Sequence, residues 1–296
     1  MRLLGRAGSL LRGLIGRIRY GRDRPSFRFK VEEERRKADR AAEIHGCHRR
    51  DLWSWDSKEG GRDLAKIHGV RVPDTLQSLR RPSEIEWEGL PNAFVIKPDR
   101  GAGGTGVYVL VREGNAFRSL LDDRIVTPSM VVSELAMVVG EGRVGPTVHA
   151  ETAALIHDRP SFDWKMYAFQ GRVELIRQID RVRRRHKFYD PQWQEWPVRE
   201  LIDKGSTVDR RLPLPYAPDA LTFAAEVLSS AVRVPFVRVD LFESDQGVVF
   251  GEFTPRPGRQ RFALWMDEHL GRCWEKSEVY LMLDDNYYDV ASRTSR

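Results

Sequence analysis

The chain of 296 residues has only two cysteines, Cys47 and Cys273, and neither belongs to a Cys-x-x-Cys pair. That excludes a disulfide framework and points to two free thiols in a reducing compartment. His45 and His48 flank Cys47, but no fourth ligand stands at a zinc-site spacing, so no metal centre is expected there. No apolar run approaches the roughly 20 residues that span a bilayer. Internal repeats and low-complexity linkers are missing as well. Acid is nearly absent from residues 1–24, which hold seven arginines and a single aspartate, Asp23.

What is present argues for a folded body. The chain is 41% hydrophobic and carries eight tryptophans, which is inconsistent with global disorder, and its length allows two or three lobes. The net charge of +6 favours anionic partners such as nucleotide phosphates, nucleic acid or lipid headgroups. Over residues 1–20, Leu3, Leu4, Ala7, Leu11, Leu14, Ile15 and Ile18 recur at near-helical spacing, with the arginines largely elsewhere on the wheel. This basic amphipathic helix can lie on an anionic membrane surface, on the chain's own body or on a second subunit. An exposed helix is expected over 31–45, another over 56–73 closing at Gly69, and one more near 218–231. Short β-branched runs otherwise fill the chain from Phe94 onward.

The strongest single signal is Phe94-Val95-Ile96-Lys97-Pro98-Asp99-Arg100-Gly101-Ala102-Gly103-Gly104-Thr105-Gly106, followed by Val107-Tyr108-Val109-Leu110-Val111. Gly101, Gly103 and Gly106 satisfy Gly-x-Gly-x-x-Gly, a pattern shared by several unrelated folds. A dinucleotide-binding loop would open a helix, whereas Val107–Val111 reads as a strand. A Walker loop would end in Gly-Lys-Ser/Thr. A protein kinase places its lysine after the loop and carries His-Arg-Asp and Asp-Phe-Gly triplets, none of which occurs. What remains is a strand–loop–strand hairpin whose backbone N–H groups can approach phosphates, with Lys97 as a point charge from the preceding strand.

A second signal runs from Val237-Arg238-Val239-Asp240-Leu241-Phe242-Glu243 through Ser244-Asp245-Gln246-Gly247 to Val248-Val249-Phe250-Gly251-Glu252-Phe253-Thr254. A three-residue loop with Gly247 in the left-handed position pairs Ser244 with Val248. Counting outward sets Asp240 opposite Glu252 and Arg238 opposite Thr254. Directly opposed carboxylates repel unless a cation lies between them, and a hard divalent ion such as magnesium fits that need. The alternative is a pair of surface acids tied by Arg238.

A lysine before a glycine hairpin, followed much later by Asp and Glu on a second hairpin, resembles the ATP-grasp enzymes. Trp55-Asp56-Ser57-Lys58 and Gly69-Val70-Arg71-Val72-Pro73 resemble the family's early segment, which implies Lys58 and Lys97 as the two nucleotide-binding lysines. Gly101, Gly103, Gly104 and Gly106 would cover the phosphates. Val131-Val132-Ser133-Glu134-Leu135 is similar to the family's hinge strand, so Glu134 and Leu135 would hold adenine and Glu141 the ribose. Asp163-Trp164-Lys165-Met166-Tyr167-Ala168-Phe169-Gln170-Gly171, Val237–Phe242 and Gly251–Thr254 resemble the TupA-like branch, associated with cell-surface polymer biosynthesis. Many ATP-grasp enzymes carry Glu-x-Asn where this chain has Glu252-Phe253-Thr254.

The resemblance implies an α+β ATP-grasp fold of two lobes clasping the nucleotide. Its expected parts are a helical extension over 1–50, lobes over 51–130 and 131–283, and a polar tail over 284–296. The implied activity is an ATP-dependent carboxylate–amine ligase working through an acyl phosphate, on a cell-surface polysaccharide or an amino-acid or uronic-acid substrate. ATP and magnesium would be its cofactors, with Asp240, Glu252 and Thr254 on the metal and Lys165, Arg181 and Arg238 at the reacting groups. The competing readings are a phosphotransferase of the same fold, an ATP-binding scaffold without catalysis, and a basic membrane- or nucleic-acid-binding protein built on Arg181–Lys187. The partners expected are a carboxylate and an amine, with no nucleic acid, in the cytoplasm or at the inner face of its membrane.

Overall fold

The computed structural model describes residues 24–48, 52–101, 103–196, 198, 207–258 and 262–284. The basic amphipathic stretch expected over 1–20 lies outside these, as does nearly all of the polar tail. The described helices are α1 (Phe27–His45), α2 (Lys58–Ile67), α3 (Pro128–Gly140), α4 (Pro218–Ala231) and α5 (Leu264–Leu283). Among the described residues, no helix is long and apolar enough to cross a membrane.

The first sheet holds β1 (Thr75–Leu79), β2 (Ala93–Pro98), β3 (Tyr108–Glu113), β4 (Ala116–Ser119), β5 (Arg124–Val126) and β6 (Val148–Thr152). It is antiparallel, in the order β1-β6-β2-β3-β4-β5. Strict alternation along β2 sends Phe94 and Ile96 to a core shared with Leu110, Phe117, Val131, Leu135 and Ala150. Lys97 takes the other face. A small hairpin of β7 (Leu155–Ile156) and β8 (Arg159–Pro160) then leads to the second sheet.

That sheet holds β9 (Asp163–Ala168), β10 (Val173–Asp180), β11 (Arg185–Tyr189), β12 (Thr207–Val208), β13 (Val237–Ser244) and β14 (Gly247–Thr254), in the order β12-β11-β10-β9-β13-β14. Helices cover both of its faces, so most of its side chains are buried whichever way they point. Trp164, Met166 and Ala168 of β9 pack with Ala65 of α2 and Leu221, Ala225 and Leu228 of α4. Tyr167 and Phe169 pack on the opposite face with Phe27 and Val31 of α1 and Met266, Leu270 and Trp274 of α5.

Two expectations change here. The segment 131–135 is not a hinge strand but part of α3. Thr127 caps that helix by accepting from Met130 N, Pro128 occupies its first turn, and Val131, Leu135 and Val138 make a buried stripe at spacings of four and three. Capping and core burial outweigh the β preference of its valines. The first sheet accordingly runs on to β6, so the expected lobe boundary at 130/131 falls within that layer and the crossing lies at 153–162. Likewise α1 is not an exposed helix starting at 31. It starts at Phe27, capped by Ser26, whose Oγ also donates to the buried Asp267 of α5 at 2.7 Å.

Asp240 does stand opposite Glu252, but the count that reaches this pairing differs from expectation. The loop has two residues, with Ser244 opposite Gly247, and Gly251 is an extra residue forming a bulge beside Asp240 and Leu241. The two one-residue displacements cancel. A Cβ at position 251 would meet the Phe242 ring at 2.8 Å and the Asp240 carbonyl at 3.0 Å, so the bulge needs glycine.

Phe27 is 1% exposed and its ring meets those of Tyr167, Phe169, Phe236, Phe262 and Trp274. Phe27→Ala should therefore cost about 3–5 kcal/mol in chemical denaturation. A loss below about 1 kcal/mol would mean that α1 contributes nothing to the core.

Candidate active site

The charged groups gather where the hairpin after β2 approaches the second sheet. Arg177, Lys165, Asp240 and Glu252 are successive cross-strand partners on β10, β9, β13 and β14. Tyr167, Arg238 and Thr254 form the adjacent row. Because side chains of a strand alternate, Asp163, Lys165 and Tyr167 project from one face, opposite to Trp164 and Met166.

Asp240 is 3% exposed and held from two sides. Lys165 Nζ donates to its Oδ2 at 2.5 Å, while Arg238 Nε and Nη2 donate to Oδ1 and Oδ2 at 2.5 and 2.6 Å. Arg238 Nη2 also donates to Thr254 Oγ1 at 2.9 Å. Lys165 Nζ lies 3.2 Å from Asp163 Oδ2, and Arg181 donates to the same oxygen. Burial opposes the charge of Asp163, yet Lys165, Arg181 and Arg238 hold its carboxyl below the usual range. Burial likewise opposes the charge of Arg238, and Asp240 raises its pKa nonetheless. This buried group thus has three cations for two carboxylates, and Asp163 Oδ1 has no hydrogen-bond partner. Among the described residues no hydrogen bond or ion pair engages Glu252, which feels both Lys58 and Arg181 electrostatically.

The first sheet supplies a second group. Lys97 Nζ lies 2.5 Å from Glu151 Oε2, and Arg62 of α2 donates to Glu151 Oε1. Burial opposes the charge of Glu151, but Lys97 and Arg62 hold its carboxyl below the ordinary range. Lys58, one helical turn before Arg62, donates to the Pro98 carbonyl at 2.9 Å. Burial, and then the neighbouring Lys97, bring its pKa down to about 8.

Between the groups lies the hairpin after β2. Gly103, Gly104 and Gly106 have φ of 68°, 80° and 72°, the left-handed region that glycine adopts without strain. A Cβ on Gly104 would sit 3.2 Å from Arg181 Nη1, so the hairpin of one layer touches the charged group of the other. Gly101 packs near Val144, and Gly106 near Leu135 and Pro98.

The structure thus brings together Lys58, Lys97, the hairpin glycines, Lys165, Arg181, Arg238, Asp240, Glu252 and Thr254. Of the segment expected to hold adenine, Leu135 packs beneath the hairpin, whereas Glu134 faces away, accepting from Tyr108 and Arg124. Glu141 ends α3 and pairs with Arg143 at 3.2 Å. Neither acid meets the lysines. The acid that does is Glu151, which the sequence reading passed over. Its signal is the alternation Val148-His149-Ala150-Glu151, a strand with one polar face. Sequence patterning singles out neither Arg62 nor Asp163, although Asp163 lies two residues before Lys165 on β9.

Strand-borne lysines, a glycine hairpin and opposed carboxylates on a second sheet form one arrangement, and a family model described as TupA-like ATPgrasp matches residues 50–274. The chain belongs to the TupA-like ATP-grasp family. It has the α+β, two-lobed ATP-grasp fold with a helical N-terminal extension, and membership places it among the ATP-grasp ligases. No curated protein matches its sequence. Similar solved structures include D-alanine–D-alanine ligase from Bacillus anthracis, at 17% identity and a TM-score of 0.47, covering 80% of this chain and 69% of the ligase. D-Alanine–D-alanine ligase from Helicobacter pylori is 16% identical with a TM-score of 0.42, covering 75% and 57%. The ATP-grasp ligase PsnB, solved with minimal precursor, magnesium and ADP, is 13% identical with a TM-score of 0.42, covering 75% and 58%. This TupA-like chain therefore spans 57–69% of the length of these three.

The lowered pKa of Lys58 gives a direct check. In the nucleotide-free protein, acylation of this amine read by mass spectrometry should rise with a midpoint at about pH 8. A midpoint at the ordinary lysine value of 10.5 would place the amine in open solvent. Since the folded value is below the unfolded one, the stability contributed by this group should increase as pH rises from about 8 toward 10.5.

Proposed function

We propose that this protein is an ATP-dependent carboxylate–amine ligase that activates its carboxylate as an acyl phosphate. The observation that carries this reading is the pairing of Asp240 with Glu252 directly across β13 and β14, beside Lys165 and Arg181 and within the electrostatic reach of Lys58. The excess of cations suits a polyphosphate, and backbone N–H groups of the Gly101–Gly106 hairpin can close over its oxygens.

The donor set also fits magnesium. Among the described residues nothing bonds to Glu252, and Asp240 offers two hard oxygens whose present partners, Lys165 and Arg238, are themselves cations that an ion can replace or share. Thr254 is a weaker candidate, because its hydroxyl already accepts from Arg238. Magnesium on Asp240 and Glu252 would offset the charge of the β- and γ-phosphates and polarise the bond to be broken.

The side chains do the rest by position and charge. Lys97 from the first sheet and Lys58 from α2 hold the phosphates, and Glu151 together with Arg62 fixes the direction of Lys97. The substrate carboxylate attacks the γ-phosphorus, the bond to the β–γ bridging oxygen breaks, and ADP leaves. Arg181 and Lys165 are the cations we assign to the equatorial oxygens of the transferred group as these gain charge. An amine then adds to the acyl carbon and expels phosphate, giving the amide and losing one proton to solvent. No protein nucleophile takes part.

An acidic substrate suits the basic turn Arg181–Arg185 beside the site. A cell-surface polysaccharide, amino-acid or uronic-acid carboxylate is our choice, in line with the TupA-like branch. We assign the reaction to the cytoplasm, where ATP is available, with residues 1–24 making a peripheral contact with the membrane.

The test is substrate-stimulated ADP release, screened over amino acids and uronic acids, with the product identified by mass spectrometry. Glu252→Gln should lower turnover by about 100-fold or more while leaving the fold intact, since among the described residues Glu252 supports no hydrogen bond or ion pair. Asp240→Asn should also be inactive, but destabilised by about 3–5 kcal/mol, because it removes the buried counter-charge of Arg238 and leaves Lys165 with Asp163 alone. Unchanged turnover in Glu252→Gln would overturn the reading. A phosphorylated hydroxyl in place of an amide would replace it with a phosphotransferase.

A further inference from the structure

One cluster of metal-ligating side chains lies outside the nucleotide site. Glu174 of β10 meets His269 and Cys273, which are four residues apart on α5 and so share one face of that helix. Cys273 Sγ lies 3.7 Å from His269 Nε2, and Glu174 Oε2 lies 3.6 Å from the same nitrogen. All three ligand atoms fall within 4.8 Å of one another. None of these contacts involves the lysine–carboxylate groups described above.

A weak hydrogen bond between Cys273 Sγ and His269 Nε2 joins two of the three groups, but it does not by itself gather the carboxylate. The Nε2···Oε2 separation exceeds the hydrogen-bond range, and both neighbours converge on one ring nitrogen. A thiol–imidazole–carboxylate relay would use the two ring nitrogens separately, one for each partner. Convergence on a single nitrogen is instead what three ligands around a common centre produce. Bonds of about 2.0–2.3 Å at a tetrahedral ion set its ligands about 3.3–3.7 Å apart, close to the two separations found.

We propose that Glu174, His269 and Cys273 bind one divalent transition-metal ion of the zinc type, clipping α5 to β10. Thiolate, imidazole and carboxylate together select such an ion over magnesium or calcium. Among the described residues no fourth His, Cys, Asp or Glu joins them. Access is through His269, whose side chain is 36% exposed. The Trp196 ring, edge-on at 5.5 Å, steadies the imidazole, and Arg172 approaches the other carboxylate oxygen, Oε1, leaving Oε2 to the ion. Burial and the neighbouring Glu174 push the Cys273 thiol up to about 12, so without an ion it keeps its proton. On binding, the S–H bond breaks, the proton goes to solvent and the sulfur electron pair forms the bond to the metal.

The test uses the full-length protein, stripped with chelator and titrated with Co²⁺ as an optical stand-in. One equivalent should produce thiolate-to-cobalt charge-transfer absorption with tetrahedral ligand-field bands, and Zn²⁺ should abolish both. Cys273→Ser should lose the charge-transfer absorption, His269→Gln and Glu174→Gln should lose the one-equivalent endpoint, and Cys47→Ser, at an exposed cysteine, should change nothing. Circular dichroism confirms the fold of each variant, and the partly exposed Glu174 keeps the test decisive should Cys273→Ser not fold. Absence of the band in folded wild type, or its survival in Cys273→Ser, would overturn the proposal. ATP is absent throughout, so the result is independent of the ligase reading.

Discussion

Asp240 sits almost wholly out of water with Lys165 against one oxygen and Arg238 forked across both, and much of the second sheet is arranged around that contact. A carboxylate this buried is tolerable only if its counter-charges are delivered at short range and good angles, because the desolvation of each ion costs several kcal/mol. The delivery is a matter of register. β9 brings Lys165, β13 brings Asp240 and Arg238, and β14 brings Glu252, so a slip of one residue would turn each to the opposite face, among Trp164, Val239 and Phe253. The bulge at Gly251 sets that register, and helices pack on both faces of the sheet.

The two layers depend on each other through charge as well as through the chain. Lys58 stands at the start of a helix packed on the second sheet, yet its amine reaches the end of β2 in the first. Arg62 does the same with Glu151, and Arg181 returns the contact by lying against Gly104. Each layer therefore brings a cation to the other's backbone or carboxylate, and the space between them is lined by groups whose charges are only partly matched. Polyphosphate chemistry needs such a space, since its transition state is stabilised by fixed charges that need not reorganise as the reaction proceeds.

The helical layer of α1 and α5 has its own polar anchor, Asp267, which takes Ser26 and Arg28 at the start of α1. Around it the packing is aromatic, so the two helices and the sheet behave as one block. The Glu174–His269–Cys273 cluster ties the same block together from another edge, using a soft ligand where the nucleotide site uses only hard oxygens and nitrogens.

Local chemistry was legible in the sequence where a few adjacent residues suffice to state it. The glycine hairpin with Lys97, the strands flanking Gly247 and the helix at 218–231 all follow from turn residues and periodicity, and family resemblance carried those segments to an ATP-grasp fold. The resemblance of 131–135 to a hinge strand misled, because an N-cap, a first-turn proline and a buried stripe make the segment helical. The opposition of Asp240 and Glu252 came out right only because a shorter loop and an unforeseen bulge offset one another. Tertiary structure alone decided that Glu151 meets Lys97, that Asp240 is held by Lys165 and Arg238, and that Cys273 finds His269 and Glu174. The reason is common to all three: a sequence fixes which face of an element a side chain takes, but which charges share a buried space depends on how distant elements pack, where a few ångströms separate an ion pair from none.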